Sequence, residues 1–104
     1  MSGKEQMYIK EAFDTNWVVP LGPNVNGFEK DLETFVGEDK RVVVLSAGTA
    51  AVHLALLACG VGAGDEVLVQ SFTFCASSHP ITYLGATPVF VDSEPYTWNM
   101  DPEL

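Results

Sequence analysis

Positive charge is what this sequence has least of. Five Lys and Arg stand against 14 Asp and Glu, a formal net charge of −9 over 104 residues. All five basic residues (Lys4, Lys10, Lys30, Lys40 and Arg41) come early, so positions 42–104 contain neither Lys nor Arg. A nucleic-acid backbone is held by clustered basic side chains, so nucleic-acid binding is excluded as a function class. Uninterrupted apolar runs are short as well, none approaching the ~20 residues of a membrane helix. No charged start followed by an apolar stretch marks a secretory leader. The two cysteines, Cys59 and Cys75, have no C-x-x-C spacing and read as buried thiols of a cytoplasmic protein. Repeats and low-complexity segments are absent. What remains is apolar: 47% hydrophobic against 18% charged, a composition that folds. So low a charged fraction in so small a domain implies that some apolar surface meets a partner.

The chain is organised around residues 42–50. Val42-Val43-Val44-Leu45 reads as a buried strand and Ser46-Ala47-Gly48 as a small-residue turn, followed by an apolar helix from about residue 49 to residue 59. Strand, turn and helix N-terminus in that order make an anion site, because the first helical N–H groups lack partners and the dipole adds partial positive charge. Gly48 lets a ligand approach the backbone, and Thr49 adds a hydroxyl. Phosphate is the natural guest.

Around this centre, residues 4–14 read as a short helix. Trp17-Val18-Val19-Pro20-Leu21-Gly22-Pro23 is extended because two prolines forbid regular helix; Trp17 is either a ligand contact or a hydrophobic lid. Pro23 opens a second helix with Val25, Phe28, Leu32 and Phe35 on one apolar face and Glu29, Lys30, Asp31 and Glu33 left for solvent. Gly37 stops it, and Glu38-Asp39-Lys40-Arg41 is a solvated turn. His53, with no acidic partner at helical spacing, reads as a core or interface histidine. Gly60-Val61-Gly62-Ala63-Gly64-Asp65 follows a helix and precedes a strand, the reverse of a dinucleotide loop, so it is a helix stop. Residues 66–70 form a second strand, 71–78 a hydroxyl-rich turn, 76–84 a helix tolerating Pro80, and 87–92 a third strand. Asp101, Pro102 and Glu103 are a helix-start signature with no helix body after it, as though the chain were cut. The pattern is α/β: three parallel strands alternating with helices through right-handed crossovers. Ligands on such sheets bind beyond the C-terminal strand ends, where both small-residue turns, 46–50 and 71–77, belong.

These stretches together closely resemble the sugar aminotransferases of the DegT/DnrJ/EryC1/StrS family, which use pyridoxal 5′-phosphate (PLP). The resemblance is carried by Asn16-Trp17-Val18-Val19-Pro20-Leu21-Gly22-Pro23, by Ser46-Ala47-Gly48-Thr49-Ala50-Ala51-Val52-His53-Leu54-Ala55-Leu56 and by Gly64-Asp65-Glu66-Val67. It continues through Ser71-Phe72-Thr73-Phe74-Cys75-Ala76-Ser77, Gly85-Ala86-Thr87-Pro88-Val89-Phe90-Val91-Asp92 and Thr97-Trp98-Asn99-Met100-Asp101-Pro102. It spans the whole chain but only about the first quarter of a family member. By that resemblance residues 1–104 are an amino-terminal portion of the aspartate-aminotransferase-like large domain of PLP fold-type I enzymes. Gly48, Thr49 and Ala50 would hold the PLP phosphate, and Phe74 would stack on the pyridine ring. Trp17, Val18, Val19 and Pro20 would touch a nucleotide-sugar substrate. The family also implies homodimers with active sites at the subunit interface.

The same family chemistry needs a lysine for the Schiff base and a carboxylate on the pyridinium nitrogen. Neither Lys4, Lys10, Lys30, Lys40 nor Asp92 matches those positions, so no catalytic residue is assigned and the chain alone is expected to be inactive. In the family, later strands lie between the first strand and the next two. The chain is therefore expected to re-pair its strands or exchange elements with another copy. Three readings follow: a fragment of an aminotransferase that uses glutamate to aminate a 4-keto nucleotide sugar for surface glycans, a fragment of a PLP-dependent sugar dehydratase, or a non-catalytic oligomerising module.

Overall fold

A computed structural model describes residues 2–37 and 39–104. Glu38, part of the expected polar turn, lies outside the described residues. Two compact units are present, residues 1–44 and 45–104.

In the first unit, α1 spans Glu5–Asp14 and α2 spans Pro23–Val36. The Glu5 carboxylate accepts the N–H groups of Ser2 and Gly3 ahead of the first turn of α1. These bonds, with that from its own N–H foremost, hold its pKa below the ordinary value. Asn16 at φ 58° ends the approach to the proline loop, in a conformation that asparagine tolerates. Pro23 sits in the first turn of α2, where its missing N–H costs nothing. The expected apolar face of α2 is not buried. Val25 and Leu32 are half-covered, whereas Phe28 is exposed and Phe35 is 86% exposed. Neither helix contains a buried residue.

Residues 42–45 belong to no helix or strand, which corrects the expectation of three strands. β-propensity describes how well a residue fits a pleated surface, and a strand exists only where a neighbour takes its hydrogen bonds. Here two glutamates of α2 take them. The Val44 N–H donates to Glu29 Oε1 at 2.9 Å and the Val42 N–H to Glu33 Oε1 at 3.3 Å. Glu29 and Glu33 are thus not solvent-facing charges as their helical positions suggest.

The second unit carries α3 (Gly48–Ala58), β1 (Glu66–Gln70), a 3₁₀ turn (Cys75–Ser77), α4 (His79–Tyr83) and β2 (Thr87–Val91). β1 and β2 pair in parallel, with Leu68 opposite Val89. The core is Val69, Ile81 and Ala86, flanked by half-buried Leu56, Val61 and Val67, so α3 and α4 meet the sheet at these residues. The helix expected over 76–84 is broken into two pieces. Pro80 has no N–H to give an upstream carbonyl, so it stands in the first turn of α4 and leaves 75–77 as a separate 3₁₀ turn.

α3 and α4 stop in the same way. Gly60 (φ 81°) and Gly85 (φ 76°) adopt the left-handed conformation, and the next N–H groups, Val61 and Ala86, reach back to the carbonyls of Leu56 and Ile81. Both caps deliver the chain toward a strand. α3 is less enclosed than its all-round apolarity implies: Val52, Leu54 and Leu57 are exposed. Cys59 and Cys75 are exposed too, which corrects the reading of two buried thiols. His53 is half-buried with its ring edge-on to Tyr83 at 5.6 Å, a packing role. After β2 the chain turns back through a Ser93–Met100 antiparallel bridge. Asp101 Oδ1 accepts the Glu103 N–H as a cap would, but residues 102–103 form a turn. No helix among the described residues is long and apolar enough to cross a membrane.

Candidate functional site

Ala47 is fully extended (φ −158°, ψ 156°) and the chain enters α3 directly after it. The first helical bond runs from the Ala51 N–H to the Ala47 carbonyl at 3.1 Å, which leaves the N–H groups of Gly48, Thr49 and Ala50 outside the ladder. No side chain caps this end. A Cβ built on Gly48 would meet nothing within 4 Å, so space beyond the backbone is open to a guest. Among the described residues the three amides at this positive dipole end have no backbone partner, and residues 42–104 offer no Lys or Arg to compete as anion ligands.

The second small-residue turn is held by its own hydroxyls. Ser71 continues the ladder by donating its N–H to Val91 at 2.9 Å, and its Oγ donates to Asp92 Oδ1 at 3.1 Å. Thr73 Oγ1 and Ser77 Oγ share a bond of 2.9 Å, and the Ser77 N–H donates to the Phe74 carbonyl at 2.9 Å. Between these ties Phe74 is extended and 77% exposed, a rigidly mounted aromatic face with no partner ring among the described residues. The 3₁₀ turn that follows Phe74 packs against α3. Gly48, Thr49, Ala50 and Phe74 all lie in one unit.

Trp17, Val18, Val19 and Pro20 belong to the other unit. Trp17 is tied back by its N–H to the Ala12 carbonyl at 2.8 Å, and its ring covers Gly22, where an added Cβ would come within 3.0 Å. The ring is 48% exposed.

Sequence reasoning missed a further cavity of about 350 Å³ at the C-terminal ends of β1 and β2, lined by Ser71, Phe72, Asp92, Glu94 and Trp98. The rings of Phe72 and Trp98 lie 5.2 Å apart, and Gln70 Nε2 braces the far wall by donating to Ser93 Oγ at 2.9 Å and to the Trp98 carbonyl. Glu94 caps the following turn, accepting the Thr97 hydroxyl and the Tyr96 and Thr97 N–H groups. Those bonds, the Thr97 hydroxyl foremost, pull its pKa below the usual carboxylate value. The signal available beforehand was only that residues past parallel strand ends gather at ligand sites.

The family model for DegT/DnrJ/EryC1/StrS aminotransferases matches residues 1–104. The chain is 57% identical over 102 residues to Bacillus subtilis EpsN, named as a pyridoxal phosphate-dependent aminotransferase, covering 98% of this chain and 26% of that protein. It is 45% identical to a GDP-perosamine synthase of Caulobacter vibrioides, covering 97% and 27%. A DegT/DnrJ/EryC1/StrS aminotransferase structure from Brucella abortus superposes with a TM-score of 0.81 at 36% identity, over 94% of this chain and 26% of that one. The chain thus spans about a quarter of the length of the curated relatives it matches. With the match running through the uncapped α3 N-terminus and the Phe74 turn alike, this chain belongs to the DegT/DnrJ/EryC1/StrS aminotransferase family.

Proposed function

We propose that residues 1–104 form the cofactor-phosphate end of the fold-type I large domain of a PLP-dependent, cytoplasmic, homo-oligomeric aminotransferase. Its substrate is a 4-keto nucleotide-linked sugar, its amino donor glutamate, and its product an amino sugar for surface polysaccharide. The observation that carries the reading is the uncapped α3 N-terminus, whose first three amides stand outside the helical ladder. Those groups fit a phosphate monoester, and the exposed Phe74 fits the face of an aromatic ring. When bound, PLP supplies the electron sink for moving an amino group between carbon skeletons.

The chain's own contribution is to bind and orient. The amides of Gly48, Thr49 and Ala50 take the phosphate without a counter-charged side chain, and Phe74 limits the tilt of the ring plane. Trp17, Val18, Val19 and Pro20 are proposed to meet the substrate nucleotide. GDP in the name of the Caulobacter relative supports a nucleotide-linked substrate. No lysine falls between residues 41 and 104, so none of these residues can hold the cofactor covalently or carry the proton between carbon and nitrogen. The 104 residues are accordingly inactive by themselves.

Titration with pyridoxamine 5′-phosphate, followed by amide NMR, tests this reading; the probe lacks the aldehyde that would react with Lys4, Lys10, Lys30 or Lys40. Shifts confined to Gly48, Thr49, Ala50 and the Phe74 turn, with affinity reduced about tenfold by Thr49→Ala, are expected. Shifts elsewhere, or an affinity that ignores Thr49→Ala, would overturn the phosphate assignment. Amino-sugar formation by the 104-residue chain alone, from glutamate and a nucleotide-linked 4-keto sugar, would overturn the claim of inactivity.

A further inference from the structure

Phe74 is mostly exposed, so burial does little to fix where its ring stands. Its place comes from the backbone beneath it, which is tied at three points. Before it, the Thr73 N–H donates to the Ser71 carbonyl at 3.1 Å, and Ser71 itself is held to Val91 at the end of β2. After it, the Ser77 N–H donates to the Phe74 carbonyl at 2.9 Å. Across it, Thr73 Oγ1 and Ser77 Oγ share a bond of 2.9 Å. The first two ties are main-chain groups that any residue supplies. The third depends on two side chains alone, and it bridges the flanks of Phe74.

Neither hydroxyl makes another bond among the described residues. Ser77 belongs to the 3₁₀ turn that packs against α3 and α4, whereas Thr73 is exposed. The hydroxyl pair therefore ties the exposed side of the Phe74 turn to the packed part of its own unit. We propose that Thr73 and Ser77 are positioning residues: their hydroxyl pair holds Phe74 in the extended conformation (φ −70°, ψ 142°) from which its ring meets a flat aromatic guest. In this role they touch no guest themselves. A ring held ready loses less freedom on binding than one that must first be ordered. The inference rests on the cofactor reading above, which gives Phe74 its stacking role.

The test compares Thr73→Val, which keeps the side-chain shape and removes the hydroxyl, with Thr73→Ser, which keeps the hydroxyl. Ser77→Ala and the Thr73→Val/Ser77→Ala double variant complete a cycle in the 104-residue chain. Backbone order at Phe74 is read by amide relaxation without ligand. Affinity is read for two probes, pyridoxamine 5′-phosphate and inorganic phosphate, of which the second has no ring. Thr73→Val is expected to lower the order at Phe74 and to weaken pyridoxamine 5′-phosphate about fivefold, with inorganic phosphate unchanged and Thr73→Ser near the parent. The double variant should lose no more than Thr73→Val, because each hydroxyl acts through the other. Equal losses for both probes, or losses that add in the double variant, would overturn the positioning role. Unchanged order and affinity in Thr73→Val would overturn it too. Failure of the cofactor reading shows separately: Phe74→Ala then leaves pyridoxamine 5′-phosphate affinity unchanged while Thr73→Val still lowers the order at Phe74, and the positioning role falls with it. Should Thr73→Val not fold, Ser77→Ala against Ser77→Thr decides by the same readouts.

Discussion

Val42-Val43-Val44-Leu45 and Glu66-Val67-Leu68-Val69-Gln70 are nearly interchangeable as sequences, yet one belongs to no strand and the other is one. Each is rich in β-branched and apolar residues, each comes before a small-residue turn, and each is flanked by helices. What separates them is the nearest available ladder. Residues 66–70 are followed by a tight crossover of 16 residues, 71–86, that returns β2 alongside them in register. For residues 42–45 the nearby hydrogen-bond acceptors are side chains of α2, and these take the two N–H groups on one edge. A strand is a relation between two segments, and a valine run supplies only one of them.

The edges of the pair repeat the lesson. Thr87 donates its N–H to Asp65, and Ser71 donates to the Val91 carbonyl, so the odd-numbered residues of β2 face β1. Pro88, on the outward-facing set, removes a donor from that edge, as edge strands do to discourage further pairing. The outer edge of β1 has no such block, and Leu68 there is 66% exposed. The exposed apolar surface expected from the low charged fraction thus includes Leu68 here, as it includes Phe35 on α2 and Leu57 on α3.

The largest effect that would break the comparison lies in the core. Ile81 is 1% exposed between α3 and the sheet, and Ile81→Ala is expected to cost about 3 kcal/mol, read as a lower urea midpoint. Val43 is 65% exposed, and Val43→Ala should stay within roughly 0.5 kcal/mol. Equal effects would mean that residues 42–45 are packed as tightly as the paired strands. Ile81→Val, at about 1 kcal/mol, gives a graded reading if the alanine variant does not fold.

Much of this was legible beforehand, for a physical reason in each case. Helix stops at Gly37 and Gly60, Pro23 in a first turn, the strand over 66–70 and the strand expected over 87–92, which ends at Val91, are local decisions, and the residues state them. The uncapped helix start at Gly48 was legible for the same reason, since a small-residue turn with no Asp or Asn leaves the amides free. What was not legible depends on distant partners. Phe35 reads as part of an apolar face by periodicity and the helix holding Leu57 as apolar throughout, but burial needs a second surface and both residues are exposed. Cys59 and Cys75 fail the same way. Glu29 and Glu33 read as solvent charges because their partners lie 15 and nine residues further on, as backbone groups that carry no sequence signal.

A smaller effect sharpens the comparison at the entrance to β2. Gly85 holds φ 76°, and an added Cβ would stand 3.4 Å from Ala63 Cβ, so contact is ordinary and the strain is in the backbone. Gly85→Ala should cost about 1 kcal/mol. Gly62, with open space and no left-handed φ, is the control: Gly62→Ala should be neutral or slightly stabilising. If both substitutions behaved alike, the αL cap would not be what hands the chain into the ladder.

The smallest effect concerns the turn that closes the paired region. Glu94 binds the Thr97 hydroxyl and the Tyr96 N–H, and its pKa lies below the ordinary 4.5 for that reason. A depressed carboxylate pKa means that the ionised form is favoured by folding. The turn's contribution is therefore complete above the ordinary value and is lost as pH falls through the depressed one. The amides of Tyr96 and Thr97 should hold their folded shifts at pH 6 and drift toward random-coil positions in the acid range, while Val69 and Val91 do not move. Thr97→Val, which removes the largest cause, should raise the midpoint of that drift toward the ordinary carboxylate value. Because Gln70 also reaches Ser93 and the Trp98 carbonyl, the sheet has a tether to this turn that no proton on Glu94 can release. A drift that carried Val69 with it would show that the tether is weaker than the cap, and that the pairing of residues 66–70 depends on the segment that follows it.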